Sequence, residues 1–165
     1  MKVELENVKP MEIEKRSFEI ITEELGDKQL LPGTELIVKR CIHTSADFDY
    51  ADNLCFSPDV VERAMKAIKE GACIVTDTQM AKAGINKRAL ARYGGEVYCF
   101  MSDEDVAKIA KENGVPVGFV NVVQSKELIM DSGAPYIVAR GRKGGSNIAA
   151  CICNALLYMI DNRRD

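Results

Sequence analysis

The chain is poor in metal-binding and redox signatures. It holds one histidine, His43, and no C-x-x-C among its six cysteines, so no structural zinc spacing can be assembled and no resident metal is expected. It has no apolar run of about 18 residues, which excludes a membrane-spanning helix. The opening MKVELENVKPMEIEKR lacks the apolar centre of a secretory signal, so the thiols are expected to be reduced, in the cytoplasm. Positive charge is not in excess. The 22 Lys and Arg stand against 25 Asp and Glu, giving net −3 and a pI near 5.4, and no nucleic-acid partner is expected. The Walker A loop, the G-x-G-x-x-G fingerprint and the G-x-S-x-G elbow are all missing. The run D-F-D-Y-A-D at 47–52 lacks the glycine and closing glutamate of an EF-hand.

What is present is an ordinary globular composition, 47% hydrophobic and 28% charged over 165 residues. That is one domain, residues 1–165, able to bury about 70% of its unfolded surface. Periodicity predicts a first helix over 10–25, with Met11, Phe18, Ile21 and Leu25 on one face and Gly26 ending it. A second helix is expected from Thr34 to His43, then loop, then a short strand at 53–57. Ser57-Pro58-Asp59 reads as N-cap, first-turn proline and acidic first turn of a helix that stops at Gly71. Strands are expected at 72–76, 96–100 and 135–139. Helices are expected near 79–84, from Asn86 to Tyr93, from Ser102 to Asn113, over 117–130 and over 146–161. Strands alternating with helices imply a parallel sheet with helices on both faces.

In such a fold ligands gather at the carboxyl ends of strands. Two loops there carry cations. RGRKGGSN at 140–147 supplies Arg140, Arg142 and Lys143, then Gly144 and Gly145, which let backbone N–H groups approach a ligand, then Ser146 at the start of a helix. The expected ligand is an anion, phosphate or carboxylate. Asp77 and Thr78 open the second loop, which continues to Lys82, Lys87 and Arg88. The stretch 42–52 sets His43 beside Thr44, Ser45 and three aspartates. A nearby carboxylate would orient the imidazole and favour its charged form, as suits a proton donor. The bland alternatives are solvated basic turns and a capped helix end.

Three segments together carry a specific resemblance: IEKRSFEII at 13–21, VKRCIHTSADFDYAD at 38–52 and IVTDTQMAKAGINKR at 74–88. The chain resembles the precorrin-8X methylmutases, the precorrin isomerases of cobalamin biosynthesis, over about residues 10–114. The resemblance implies a three-layer, flavodoxin-like α/β/α fold with a mainly parallel sheet, and a homodimer with its active site near the interface. It implies transfer of a methyl group from C-11 to C-12 of precorrin-8 or its cobalt form, with no separate cofactor. His43, in the R-x-I-H-T motif, is implied as the catalytic group. Carried onto this chain, the substrate-binding set is Arg16, Ser17, Arg40, Thr44, Ser45, Asp77, Thr78, Met80, Lys87 and Arg88. Arg142, Lys143, Gly144, Gly145 and Ser146 of the cationic loop join it, facing the carboxylates of an anionic tetrapyrrole. Beyond Gly114 the chain departs from the pattern. Pro116, Val117 and Gly118 stand where members commonly have T-R-S, and GRKGGSNIAACICNALL stands in place of G-N-A-P-T-A-L. Arg142 and Lys143 are expected to replace the missing arginine charge. The competing expectations are a non-catalytic corrinoid carrier and a nucleotide-binding module built on RGRKGGSN.

Overall fold

A computed structural model describes residues 9, 12–105 and 121–162. Pro10, Met11, most of the helix expected from Ser102, and residues 116–118 lie outside the described residues. Helix α1 is Ile13–Leu25, and Gly26 closes it with a φ of 53° and its N–H on Thr22 and Glu23. Phe18 and Ile21 form its buried face. Helix α2 is Glu35–Ser45, with Ile37, Val38, Cys41 and Ile42 buried at helical spacing. It runs two residues past the expected His43. The expected loop then contains a short helix, α3, Tyr50–Asn53, before strand β1, Leu54–Phe56.

Helix α4 is Val60–Lys69. Ser57 does not cap it. The Ser57 hydroxyl instead accepts from Tyr136 N–H at 2.9 Å, and Ser57 N–H donates to Tyr136 O at 3.0 Å. Because Ser57 still belongs to the strand ladder, the helix begins after Asp59, which takes a left-handed φ of 56°. Strand β2 is Ile74–Thr76, α5 is Gln79–Gly84, α6 is Lys87–Ala91 and β3 is Val97–Cys99. Side-chain caps hold both short helices, Thr78 on Ala81 N–H and Asn86 on Ala89 N–H, each at 3.1 Å. Helix α7, Val122–Asp131, confirms a helix in the 117–130 stretch. Strand β4 is Ile137–Ala139 and helix α8 is Ser146–Ile160.

The single parallel sheet is not found among the described residues. There are two small sheets instead. β2 and β3 pair in parallel, Ile74 opposite Val97 and Thr76 opposite Cys99, with α5 and α6 as the crossover. β1 and β4 pair antiparallel, Leu54 opposite Ala139 and Phe56 opposite Ile137. Three-residue strands carry too little alternation to encode their direction. The fold class is therefore mixed α/β. The apolar run ACIVT at 72–76 is not covered along its length either, since Cys73 is exposed and Val75 is 64% exposed.

Helix α8 is the spine. Its Ala150, Ala155, Leu156 and Leu157 sit in one core cluster with Ile37, Ile68, Ile85 and Leu90. Its Ile148 sits in a second cluster with Ile21, Val38, Cys41, Ile42 and Tyr50. Packing on two sides accounts for a sequence that is apolar nearly all round. Among the described residues no helix is long and apolar enough to cross a membrane.

Candidate active site

The carboxyl end of β4 leads directly into the cationic loop. Gly141, Gly144 and Gly145 take φ of 77°, 134° and 127°, conformations that a side chain would strain. The loop borders a cavity of about 670 Å³ lined by Asp77 from beyond β2, Lys126 and Ile129 of α7, all three β4 residues, and Arg142 through Ser146. A 2.7 Å hydrogen bond between the Thr78 and Ser146 hydroxyls joins the two loops at their helix starts. The expected address, two loops after two strands, is thus a shared cavity for Asp77, Arg142, Lys143, Gly144, Gly145 and Ser146.

A second, smaller cavity of about 310 Å³ lies on the other side of the α8 start. It is lined by Arg40 and Thr44 of α2, Met80 and Gly84 of α5, and Asn147, Cys151, Asn154 and Tyr158 of α8. Arg40 is buried, 2.9 Å from Glu14, with its guanidinium 4.4 Å from the Tyr158 ring and 5.3 Å from the Phe18 ring. The Thr44 hydroxyl donates to Cys151 Sγ at 3.2 Å. A hydrogen bond from Cys41 is the main cause that draws the Cys151 thiol down to about 7; Thr44 and the Arg40 charge act in the same direction, and burial acts against them. Cys41, as donor in a buried place, is pushed far above its ordinary value. Cys153, two residues further along α8, is pushed up to about 11 by burial. No motif marks the Cys41–Cys151 pair, because its members lie on different helices.

His43 stands exposed on the last turn of α2, its ring centroid 5.6 Å from that of Phe18. It precedes Thr44, which lines the smaller cavity, while His43 itself is not among the lining residues. The expected carboxylate partner is not there. Among the described residues no aspartate or glutamate pairs with His43. Asp47 and Asp49 turn to Lys143 instead, whose Nζ lies 2.5 and 2.6 Å from them. That bridge holds the Asp47 carboxyl below its ordinary range and raises Lys143. Lys143 is therefore already neutralised rather than waiting for an anion. Arg140 is likewise held by Glu127 through two parallel hydrogen bonds of 2.9 and 2.8 Å.

The remaining expected residues are more dispersed. Ser17 donates within α1 to Ile13 O, and Arg16 pairs with Glu19 at 3.5 Å. Ser45 bonds Cys41 O and accepts from Asp47 N–H, shaping the turn after His43. Lys87 and Arg88 are exposed on α6. Two residues missed by sequence reasoning organise the loops. Lys126 Nζ donates to Ala139 O, Gly141 O and Lys143 O. Asn154 accepts from Asn86 N–H at 2.7 Å and donates to Gly84 O at 2.9 Å.

Comparison with known proteins places this geometry. The family model of precorrin-8X methylmutase matches residues 12–115 and 113–159. A cobalt-precorrin-8 methylmutase of Salmonella typhimurium is 38% identical over 90% of this chain and 95% of its own. One from Priestia megaterium is 32% identical over 94% of this chain and 90% of its own. A crystal structure of precorrin-8X methyl mutase from Thermus thermophilus superposes with a TM-score of 0.81 at 29% identity, covering 92% of this chain and 98% of that one. The match runs well past Gly114 and includes RGRKGGSN. What differs is length. The Salmonella alignment spans 199 positions, of which 90% of 165 residues fills about 148, leaving some fifty positions with no counterpart here. The two family matches meet at 113–115. The histidine motif, the threonine-capped loop after β2 and the glycine loop after β4 all fall inside those matches, and the chain belongs to the precorrin-8X methylmutase family.

Proposed function

We propose that this chain is the isomerase of cobalamin biosynthesis that moves a methyl group from C-11 to C-12 of cobalt-precorrin-8. Family membership across residues 12–159 carries this reading, and the names of the Salmonella and Priestia relatives favour the cobalt-bearing substrate. Cobalt belongs to the substrate here. The product is cobyrinate.

A methyl shift around a conjugated macrocycle needs no nucleophile. It needs a proton on the ring system, which leaves the receiving carbon electron-poor, and a fixed geometry. His43 is our donor. Its exposed position beside Thr44 lets it meet a flat ligand larger than either cavity. A matched proton donor supplies roughly 10²–10⁴ in rate, and orientation and electrostatics supply the rest. Arg142, Lys87 and Arg88 are the side chains we assign to the substrate carboxylates, with the N–H groups near Gly145 and Ser146. Lys143 acts through Asp47 and Asp49. We read the enzyme as cytoplasmic and homodimeric, with its six cysteines unpaired as free thiols. The two small sheets are our candidates for parts of the family's three-layer, flavodoxin-like sheet.

One observation favours a second reading. Some fifty positions of the relatives are missing here, which suits a carrier that binds the corrinoid without converting it. Anaerobic incubation with cobalt-precorrin-8, read by visible spectrum, separates the two. We expect conversion by the wild-type chain and none by His43→Ala at unchanged fold. A bound, unconverted substrate with both proteins would establish the carrier. Conversion by both would remove His43 as the acid.

A further inference from the structure

Lysine side chains usually leave their ammonium in water. Lys126 does not. Its Nζ lies 2.7 Å from Ala139 O, 2.9 Å from Gly141 O and 2.5 Å from Lys143 O. An ammonium has three N–H donors and no acceptor, so three carbonyls exhaust it. The three acceptors belong to alternate residues of a loop whose glycines take left-handed φ. Beyond Arg140 N–H, which still reaches Asn53 O at 2.7 Å, the loop has left the β1–β4 ladder. Carbonyls that would otherwise point in different directions are gathered on one charge.

The consequence extends beyond the loop. In a trans peptide the carbonyl and the following N–H point in opposite directions. Holding the carbonyls of residues 141 and 143 on Lys126 turns the N–H groups of Arg142 and Gly144 the other way. Lys143 is held at its backbone by Lys126, while its own ammonium crosses to Asp47 and Asp49. Those aspartates lie in the turn four and six residues after His43. A continuous path of hydrogen bonds and one chain segment thus runs from α7, through the glycine loop, to the turn that ends α2.

We propose that Lys126 is a positioning residue: by gathering the carbonyls of residues 139, 141 and 143 it sets where Lys143 meets Asp47 and Asp49, and so fixes the turn after His43 against the substrate. Its catalytic consequence rests on the isomerase reading above; its coupling of the two loops does not. Two readouts keep them apart. Lys126→Met keeps the length and removes charge and donors; Lys126→Arg keeps both. Deuterium uptake measured by mass spectrometry should rise in Lys126→Met at 139–145 and also at 46–49, with α4 and the β2–β3 pair unchanged. Lys126→Arg should restore most of the protection. With cobalt-precorrin-8, Lys126→Met should lower kcat/KM on the order of tenfold to a hundredfold, as misplacement of a reacting group does, with Lys126→Arg in between. If the methionine variant does not fold, Lys143→Met tests the second link alone and should loosen 46–49 while leaving 139–141 protected. Extra uptake confined to 139–145 would overturn the proposal and leave Lys126 a local loop staple. A loosened 46–49 with unchanged kcat/KM in an active enzyme would overturn the positioning role. A wild-type chain with no turnover would remove the isomerase reading while the uptake experiment still decides the coupling.

Discussion

The cations of this chain differ most in what already holds them. Arg40 is 9% exposed, paired with Glu14 and set against the rings of Phe18 and Tyr158. Its planar guanidinium suits that sandwich, where an ammonium would not. Lys143 and Arg140 each face carboxylates, and Lys126 faces carbonyls. Counting positive residues in a loop therefore overstates the charge offered to a ligand. Cys151 shows the reverse case, a residue made reactive by neighbours that no motif announces. The Cys41 thiol donates to it, Thr44 adds a second donor, and Arg40 adds charge. Because Cys151 is drawn below its ordinary value, a larger fraction of it is thiolate at a given pH than of an ordinary thiol. Iodoacetamide labelling, followed cysteine by cysteine in peptide mass spectra, should show Cys151 gaining reactivity through pH about 7. Cys41→Ala should move that midpoint upward. A wild-type midpoint at the ordinary thiol value would contradict the assigned donor.

Helix α8 meets α2, α4 and α5, and its approach to α5 depends on one missing side chain. A Cβ placed on Gly84 would sit 2.9 Å from Ala150 Cβ, inside normal contact. Neither atom is the end of a flexible chain, so relief requires moving one helix. Gly84→Ala should lower stability by about 1–3 kcal/mol, the usual cost of overpacking, although alanine is the better helix former. Urea unfolding measures it, and an unchanged midpoint would show that α5 shifts freely. The helices were largely legible in the sequence because their apolar spacing and their terminal residues agree. Phe18 and Ile21 on α1, Asn86 before α6 and Gly26 after α1 all do what their types indicate. The sheet was not legible. Strands of three residues contain no measurable alternation, and nothing local tells β4 to run against β1 rather than with it. Ser57 misled for a related reason: its hydroxyl suits a cap and a strand partner equally, and the partner, Tyr136, lies 79 residues away.

For the molecule as a whole, the loops of the candidate site were found from composition and address, whereas their internal wiring was not. Lys143 with Asp47, Thr78 with Ser146 and Asn154 with Asn86 each join residues far apart in the chain, and sequence spacing does not reveal such pairs. The two core clusters within one chain account for the buried residues of the nearly all-apolar α8, while Cys151–Asn154 and Tyr158–Ile160 remain partly exposed. Light scattering on the purified protein should give twice the 18.2 kDa chain mass; a monomer would confine the active site to residues of one chain. Some fifty positions of the Salmonella alignment have no counterpart here, yet both cationic loops fall inside the family matches.

Asn154 has one more consequence. Asn86 precedes the first residue of α6, so its amide has no helical acceptor, and amides in such places ordinarily exchange with solvent within the dead time of an experiment. Here that amide ends on a side-chain oxygen of the central helix at 2.7 Å, while the same side chain secures the carbonyl two residues earlier. In a two-dimensional amide spectrum recorded in heavy water, a lone connector resonance should therefore persist with those of α8 and vanish when they do, reporting from outside any helix on the opening of the core.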